Sequence, residues 1–156
     1  MAVISGGRVL TGHDRRDVRW TRRGIYSFAA SGNISAMGGA VSAIDLVDEN
    51  GKPIVFEDND VIERATITAH TVLTSGGAAT VALGSSEAGK GAVISAAVAF
   101  DDPPYDDVGL ALHAAALVTA PYKVTGTGKK LTATIAGAAL TAGKFEVVLH
   151  GYTAAG

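Results

Sequence analysis

The chain is most legible where apolar and polar positions alternate. In KLTATIA, residues 130–136, Leu131, Ala133 and Ile135 point one way and Lys130, Thr132 and Thr134 the other, the period of two expected of a half-buried strand. KFEVVLHGY near the C-terminus repeats the pattern, with Phe145, Val147 and Leu149 inward and Lys144, Glu146 and His150 outward. VIERATITAHTVL, 61–73, sets Val61, Ala65, Ile67, Ala69 and Leu73 on the inner face and Arg64, Thr66, Thr68 and His70 on the outer one. SGGA then turns the chain and ATVALG, 79–84, returns it, which predicts a hairpin.

GIYSFAA, AVSAIDLV and PIVFE are shorter strand candidates bounded by turn chemistry such as DENG at 48–51. Two alanine-rich segments, AVISAAVAF at 92–100 and VGLALHAAALV at 108–118, have a composition that also suits helices. The second alternates Val108, Leu110, Leu112, Ala114 and Ala116 and is assigned as strand; the first leans toward extended structure, although Ile94 and Val98 also fit a helix face. About eight strands without intervening helices predict an all-β fold, an antiparallel β-sandwich of jelly-roll type. Alanine and glycine at inward positions would let the sheets, or neighbouring subunits, approach closely.

At 156 residues the chain has the length of one domain, enough to bury a core without a metal or disulfide. Hydrophobic residues reach 47% but aromatics only 6%, so the core is expected to be thin. The absence of cysteine removes thiol catalysis, disulfides and zinc thiolate sites. No apolar run is long enough to span a membrane, and MAVISGGRVLTG lacks the pattern of a leader. The expectation is a soluble, unprocessed protein that makes no membrane contact.

Charge changes this picture at one end. Residues 8–23 hold six arginines against two aspartates, a net of +4, whereas the remainder has seven basic and thirteen acidic residues, a net of −6. The sequence therefore divides into a basic N-terminal arm, 1–23, and a β-sandwich domain, 24–156. Arg8, Arg15, Arg16, Arg19, Trp20, Arg22 and Arg23 are the candidate interface residues. They suit nucleic acid, an acidic protein neighbour or a solvated tail. An acidic body repels a polyanion, so the neighbouring protein is favoured over nucleic acid.

GSSEAGKG, 84–91, spaces Gly84, Gly89 and Lys90 as a phosphate-binding P-loop does, but Gly91 replaces the metal-binding hydroxyl and Glu87 adds a negative charge. With no helix expected after it, the reading is a polar loop joining two strands. TGTGKK, 125–130, reads as a turn. His13, His70, His113 and His150 are far apart and form no metal-binding pair. The acidic clusters EDND, 57–60, and DDPPYDD, 101–107, have the oxygen chemistry of a calcium site, yet lack EF-hand spacing and read as solvated turns. No G-x-S-x-G elbow is present. No catalytic residue, metal ligand or cofactor is assigned, and an enzyme is not expected.

VIERATITAHTVLTSGGAATVALGS, DDPPYDD and VTGTGKKLTATIAGAALTAGKFEVVLHGY together resemble the small virion proteins of tailed bacteriophages that decorate or cement the head, or form head fibres. The resemblance covers residues 61–152 and excludes the arm. It implies a jelly-roll module with a structural role on the capsid surface, made in the host cytoplasm, forming homotrimers and contacting the major capsid protein. The alternative is a tail or fibre module that binds host glycans, with Tyr105 and Tyr122 available to stack on a sugar.

Overall fold

The computed structural model describes residues 18–109, 111–113 and 121–154. Among them are ten strands and no helix: β1 (Val18–Ser27), β2 (Ala43–Asp45), β3 (Val55–Phe56), β4 (Asp60–Ser75), β5 (Thr80–Ser85), β6 (Ser95–Ala99), β7 (Ala111–His113), β8 (Tyr122–Lys123), β9 (Lys129–Ala136) and β10 (Leu140–Thr153). One sheet runs β1-β10-β4-β7 with β8 also on β4; the other runs β2-β9-β5-β6 with β3 also on β9. All the strand pairs are antiparallel. If β2 with β3, and β7 with β8, each count as one interrupted strand, eight positions remain. Only β5 and β6 are consecutive neighbours in one sheet, and every other connection crosses between sheets, the winding of a jelly roll.

The alternation in the long strands becomes the core. Ala65, Ile67, Ala69 and Leu73 of β4, Leu131, Ala133 and Ile135 of β9, and Phe145, Val147 and Leu149 of β10 are all buried. Tyr26 stacks on Phe145 at 5.2 Å between centroids, and Tyr105 meets the same ring edge-on at 5.1 Å. Three of the few aromatics thus concentrate at one place between the sheets. The segment 92–100 gives β6, and 108–118 gives β7 at Ala111–His113, with its remainder largely outside the described residues.

Three expectations are corrected. First, β1 spans Val18–Ser27, so residues 18–23, expected in the arm, belong to the sheet. Its inward positions, opposite Gly151, Leu149, Val147 and Phe145, are Trp20, Arg22, Gly24 and Tyr26. An arginine and a glycine on the inner face hide the period of two. Second, Val61 is buried, but Ile62 takes the core position opposite Gly151, because Glu63 is an extra residue between the pairs Ile62–Gly151 and Arg64–His150. Such a bulge reverses the facing of everything before it.

Third, SGGA is a corner and not a hairpin. The edges of β4 are taken by β10 and by β7 with β8, and those of β5 by β9 and β6, so the two strands lie in different sheets. A Cβ on Gly77 would come 2.8 Å from Ala138 Cβ, and one on Gly137, at φ +80°, would come 2.2 Å from the Ala78 carbonyl oxygen. Glycine therefore lets the β4–β5 corner pack against the β9–β10 corner.

Gly24 faces β9 across the core, where an added Cβ would meet Leu131 Cδ2 at 2.6 Å and Leu46 Cβ at 3.1 Å. Gly24→Val is expected to destabilise the fold by about 1–3 kcal/mol through overpacking. Denaturant unfolding checks this, with an unchanged midpoint arguing against close sheet contact at that position.

Candidate functional site at the arginine-rich first strand

The basic stretch divides at Val18. Arg8, Arg15 and Arg16 lie outside the described residues, whereas Arg19, Trp20, Arg22 and Arg23 are strand residues whose directions follow from the pleat. Arg19 and Arg23 point outward. Arg19 pairs with Glu63 at 2.6 Å and lies over the Tyr152 ring; Arg23 reaches Glu49 at 3.1 Å and Glu146 at 3.6 Å. The nearest acidic surface these arginines meet is their own chain.

Arg22 points inward at the open end of the sandwich, with its guanidinium 3.9 Å from the Trp20 ring centroid and 5.8 Å from that of Phe56. It donates to Asp60 Oδ2 at 2.6 Å. The Asp60 side chain is fully buried, and that of Arg22 is 23% exposed. Asp60 Oδ2 also accepts from the Glu57 amide at 2.9 Å, and its Oδ1 accepts from the Thr153 hydroxyl at 2.6 Å. Trp20 lies against Gly151, where a side chain would sit 2.7 Å from the indole. EDND is an exposed turn at Glu57 and Asp58, as expected, but its last residue, Asp60, is a buried hub. Continuing the alternation of Tyr26 backward through Gly24 and Arg22 is the sequence signal that exposes this site.

Burial pushes the Asp60 carboxyl up, but the Thr153 hydroxyl, the Glu57 amide and the Arg22 guanidinium together outweigh burial and hold it below the ordinary aspartate value. Because the native pKa is depressed, this contribution is fully present above the unfolded value near ~4 and is lost as pH falls through the lower native value.

The other candidates resolve separately. GSSEAGKG connects the β5–β6 hairpin, and four of its amides are occupied: Ser85 N donates to the Lys90 carbonyl, Ser86 N to the Lys130 carbonyl, Glu87 N to Ser85 Oγ and Lys90 N to the Glu87 carbonyl. A phosphate cradle needs those N–H groups free and converging. His70 pairs with Glu146, His150 stands between Thr21 and Arg64 in register, and β7 sets His113 opposite Thr66; His13 lies outside the described residues. No group of three or more metal-ligating side chains forms among the described residues.

Tyr105 and Tyr122, the candidate sugar-stacking residues, are both buried. Tyr122 donates to Glu87 and shares a 2.9 Å hydrogen bond with Ser85 Oγ; burial first, then Glu87, pushes its phenol up to about 12. The Tyr105 hydroxyl has no hydrogen-bond partner among the described residues, and burial raises its pKa.

No family model matches this sequence, and no curated protein matches it. Among solved structures, a chain of the "Acidic stable capsid structure of Helicobacter pylori bacteriophage KHP30" aligns with a TM-score of 0.56 and 9% identity, over 88% of this chain and 89% of that one. A chain of the "Cyanophage Pam1 capsid asymmetric unit" aligns with a TM-score of 0.51 and 16% identity, over 97% of this chain and 98% of that one. At these identities the likeness is one of fold, extending over nearly the whole length of each partner.

Asp60→Ala is expected to cost about 3–5 kcal/mol, since it strands a half-buried guanidinium, while Arg19→Ala should stay within about 1 kcal/mol because its pair is exposed. Thermal unfolding of the two variants at pH 7 and below pH ~4 checks both, with the gap between Asp60→Ala and wild type shrinking in acid. Tyr105→Phe, which removes a hydroxyl lacking a partner, should leave stability unchanged or raise it, whereas Tyr105→Ala should cost about 3–5 kcal/mol. Calorimetric melting of this pair separates a packing residue from a ligand-facing one.

Proposed function

We propose that this chain is a structural protein of a tailed-bacteriophage virion, decorating or cementing the capsid surface through subunit contacts and catalysing no reaction. The observation that carries this reading is the shared jelly roll with chains of two phage capsid structures, aligned along 88% and 97% of this sequence. The phosphate-loop look-alike, with four of its amides bonded within the chain, Lys90 among them, adds nothing in favour of nucleotide chemistry. On this reading the partners are the major capsid protein and further copies of the chain, assembled as a homotrimer after synthesis in the host cytoplasm. Many weak contacts repeated by symmetry then supply the adhesion.

Residues 1–17, with Arg8, Arg15 and Arg16, act as the tether to neighbouring subunits. Deleting residues 1–23 would also remove more than half of β1, so the informative truncation stops before Val18. Full-length protein is expected to co-sediment with shells that lack it, and the variant without residues 1–17 to bind at least about tenfold more weakly while melting normally. Failure of the full-length chain to bind shells, in co-sedimentation and in images of the assembled particle, would sink the virion role. Full binding by the truncated chain would sink only the tether.

A further inference from the structure

The outer face of the β1-β10-β4 sheet carries a charge excess that the chain does not neutralise. The buried Ala65, Val147 and Leu149 fix the pleat, and the outward positions bring Arg19, Arg23, Arg64 and Lys123 to one side. The anions there are Glu63 and Glu146. Both are already engaged, Glu63 by Arg19 and Glu146 by Arg23 and His70. Arg64 and Lys123 have no ion pair or side-chain hydrogen bond among the described residues. Arg64 lies directly across from His150, which lies across from Thr21. These three, with Arg19 and Glu63, line an open trough of about 520 Å³.

Away from that face, which also carries Lys144 hydrogen-bonded to Ser31, and leaving aside the inward Arg22–Asp60 pair, the described residues have the opposite sign, with four Lys or Arg against ten Asp or Glu. Asp101, Asp102, Asp106 and Asp107 are exposed on the loop between β6 and β7, along the edge of the sandwich opposite β1, and have no ion pair among the described residues. We propose that the outer face of this sheet, centred on Arg64 and His150, is a docking surface for a second copy of the chain, which presents its acidic 101–107 edge. The same polypeptide carries both halves of the contact. Packing two such faces together about a two-fold axis would set cation against cation, which charge complementarity forbids. Each contact therefore joins unlike patches, face to edge, whether made reciprocally about a two-fold axis or head-to-tail in a ring or filament.

This contact does not rest on the virion role: it is read from self-association in solution, and the virion role from binding to shells. The test is sedimentation equilibrium on the full chain, on Arg64→Glu, on Asp106→Lys/Asp107→Lys, and on a mixture of the two variants. All the substituted side chains are exposed, and melting curves confirm that the variants fold. Wild type should associate at low salt and dissociate as ionic strength rises toward ~1 M. Each variant alone should associate at least about tenfold more weakly, and the mixture should form a one-to-one pair, since each supplies the half that the other lacks. A wild type that stays monomeric, association indifferent to both variants, or a mixture no stronger than its components would overturn the proposal. So would a chain that stays monomeric yet binds duplex DNA in a manner abolished by Arg64→Glu, since the face would then serve a polyanion.

Discussion

The structure turns on a carboxylate withdrawn from water. Asp60 stands where the chain leaves the sheet of β3 and starts β4, the longest strand, and its side chain joins Arg22 of β1, Thr153 of β10 and the Glu57 amide of the preceding turn. Its carbonyl accepts from Val124, just after β8. One residue therefore ties β1 to the ends of β4, β8 and β10, beside the Trp20 and Phe56 rings that flank Arg22. The pair need not add much net stability, since burying two charges costs nearly as much as their attraction returns. What it supplies is register. A one-residue slip of β1 would turn Arg22 to solvent, leave Asp60 buried without its cation, and swing Trp20 and Tyr26 out of the core.

That arrangement explains which parts of the fold were legible. β4, β9 and β10 carry branched or aromatic side chains at inward positions, so period two stands out. β1 does not, because its inward row is Trp20, Arg22, Gly24 and Tyr26. Arginine is inward only because Asp60 waits for it, and glycine only because Leu131 and Leu46 fill its space from the opposite sheet. Both reasons lie some distance away in sequence. EDND misleads for the related reason that turn-forming aspartates and a buried hub aspartate have the same local spelling. The SGG corner is a third case. Corners and hairpins use the same residues, and which one forms depends on whether the neighbouring strand edges are already occupied.

The glycine-rich octapeptide at 84–91 shows the limit of reading chemistry from spacing. Gly84 is where it is because the loop folds back on β5: a Cβ there would come within 2.1 Å of the Lys90 carbonyl oxygen. The spacing of Gly84, Gly89 and Lys90 follows from closing a hairpin between β5 and β6. A phosphate site and a tight hairpin both require small residues, and only the direction of the amides separates them.

Among the described residues, the charge pattern lies on extended surfaces. Most exposed ion pairs here are worth little individually: Arg19–Glu63 and Arg23–Glu49 sit in water and are screened by salt. Their effect is subtractive. With Glu63 held by Arg19, and Glu146 by Arg23 and His70, the outer face of the first sheet is left with Arg64 and Lys123 unpaired among the described residues, while the aspartates of 101–107 stay on another edge. A surface of that kind discriminates by the pattern of charges left over, and it is weak as a single contact. It gains strength when symmetry repeats it, because each added contact is then made at the high effective concentration set by its neighbours.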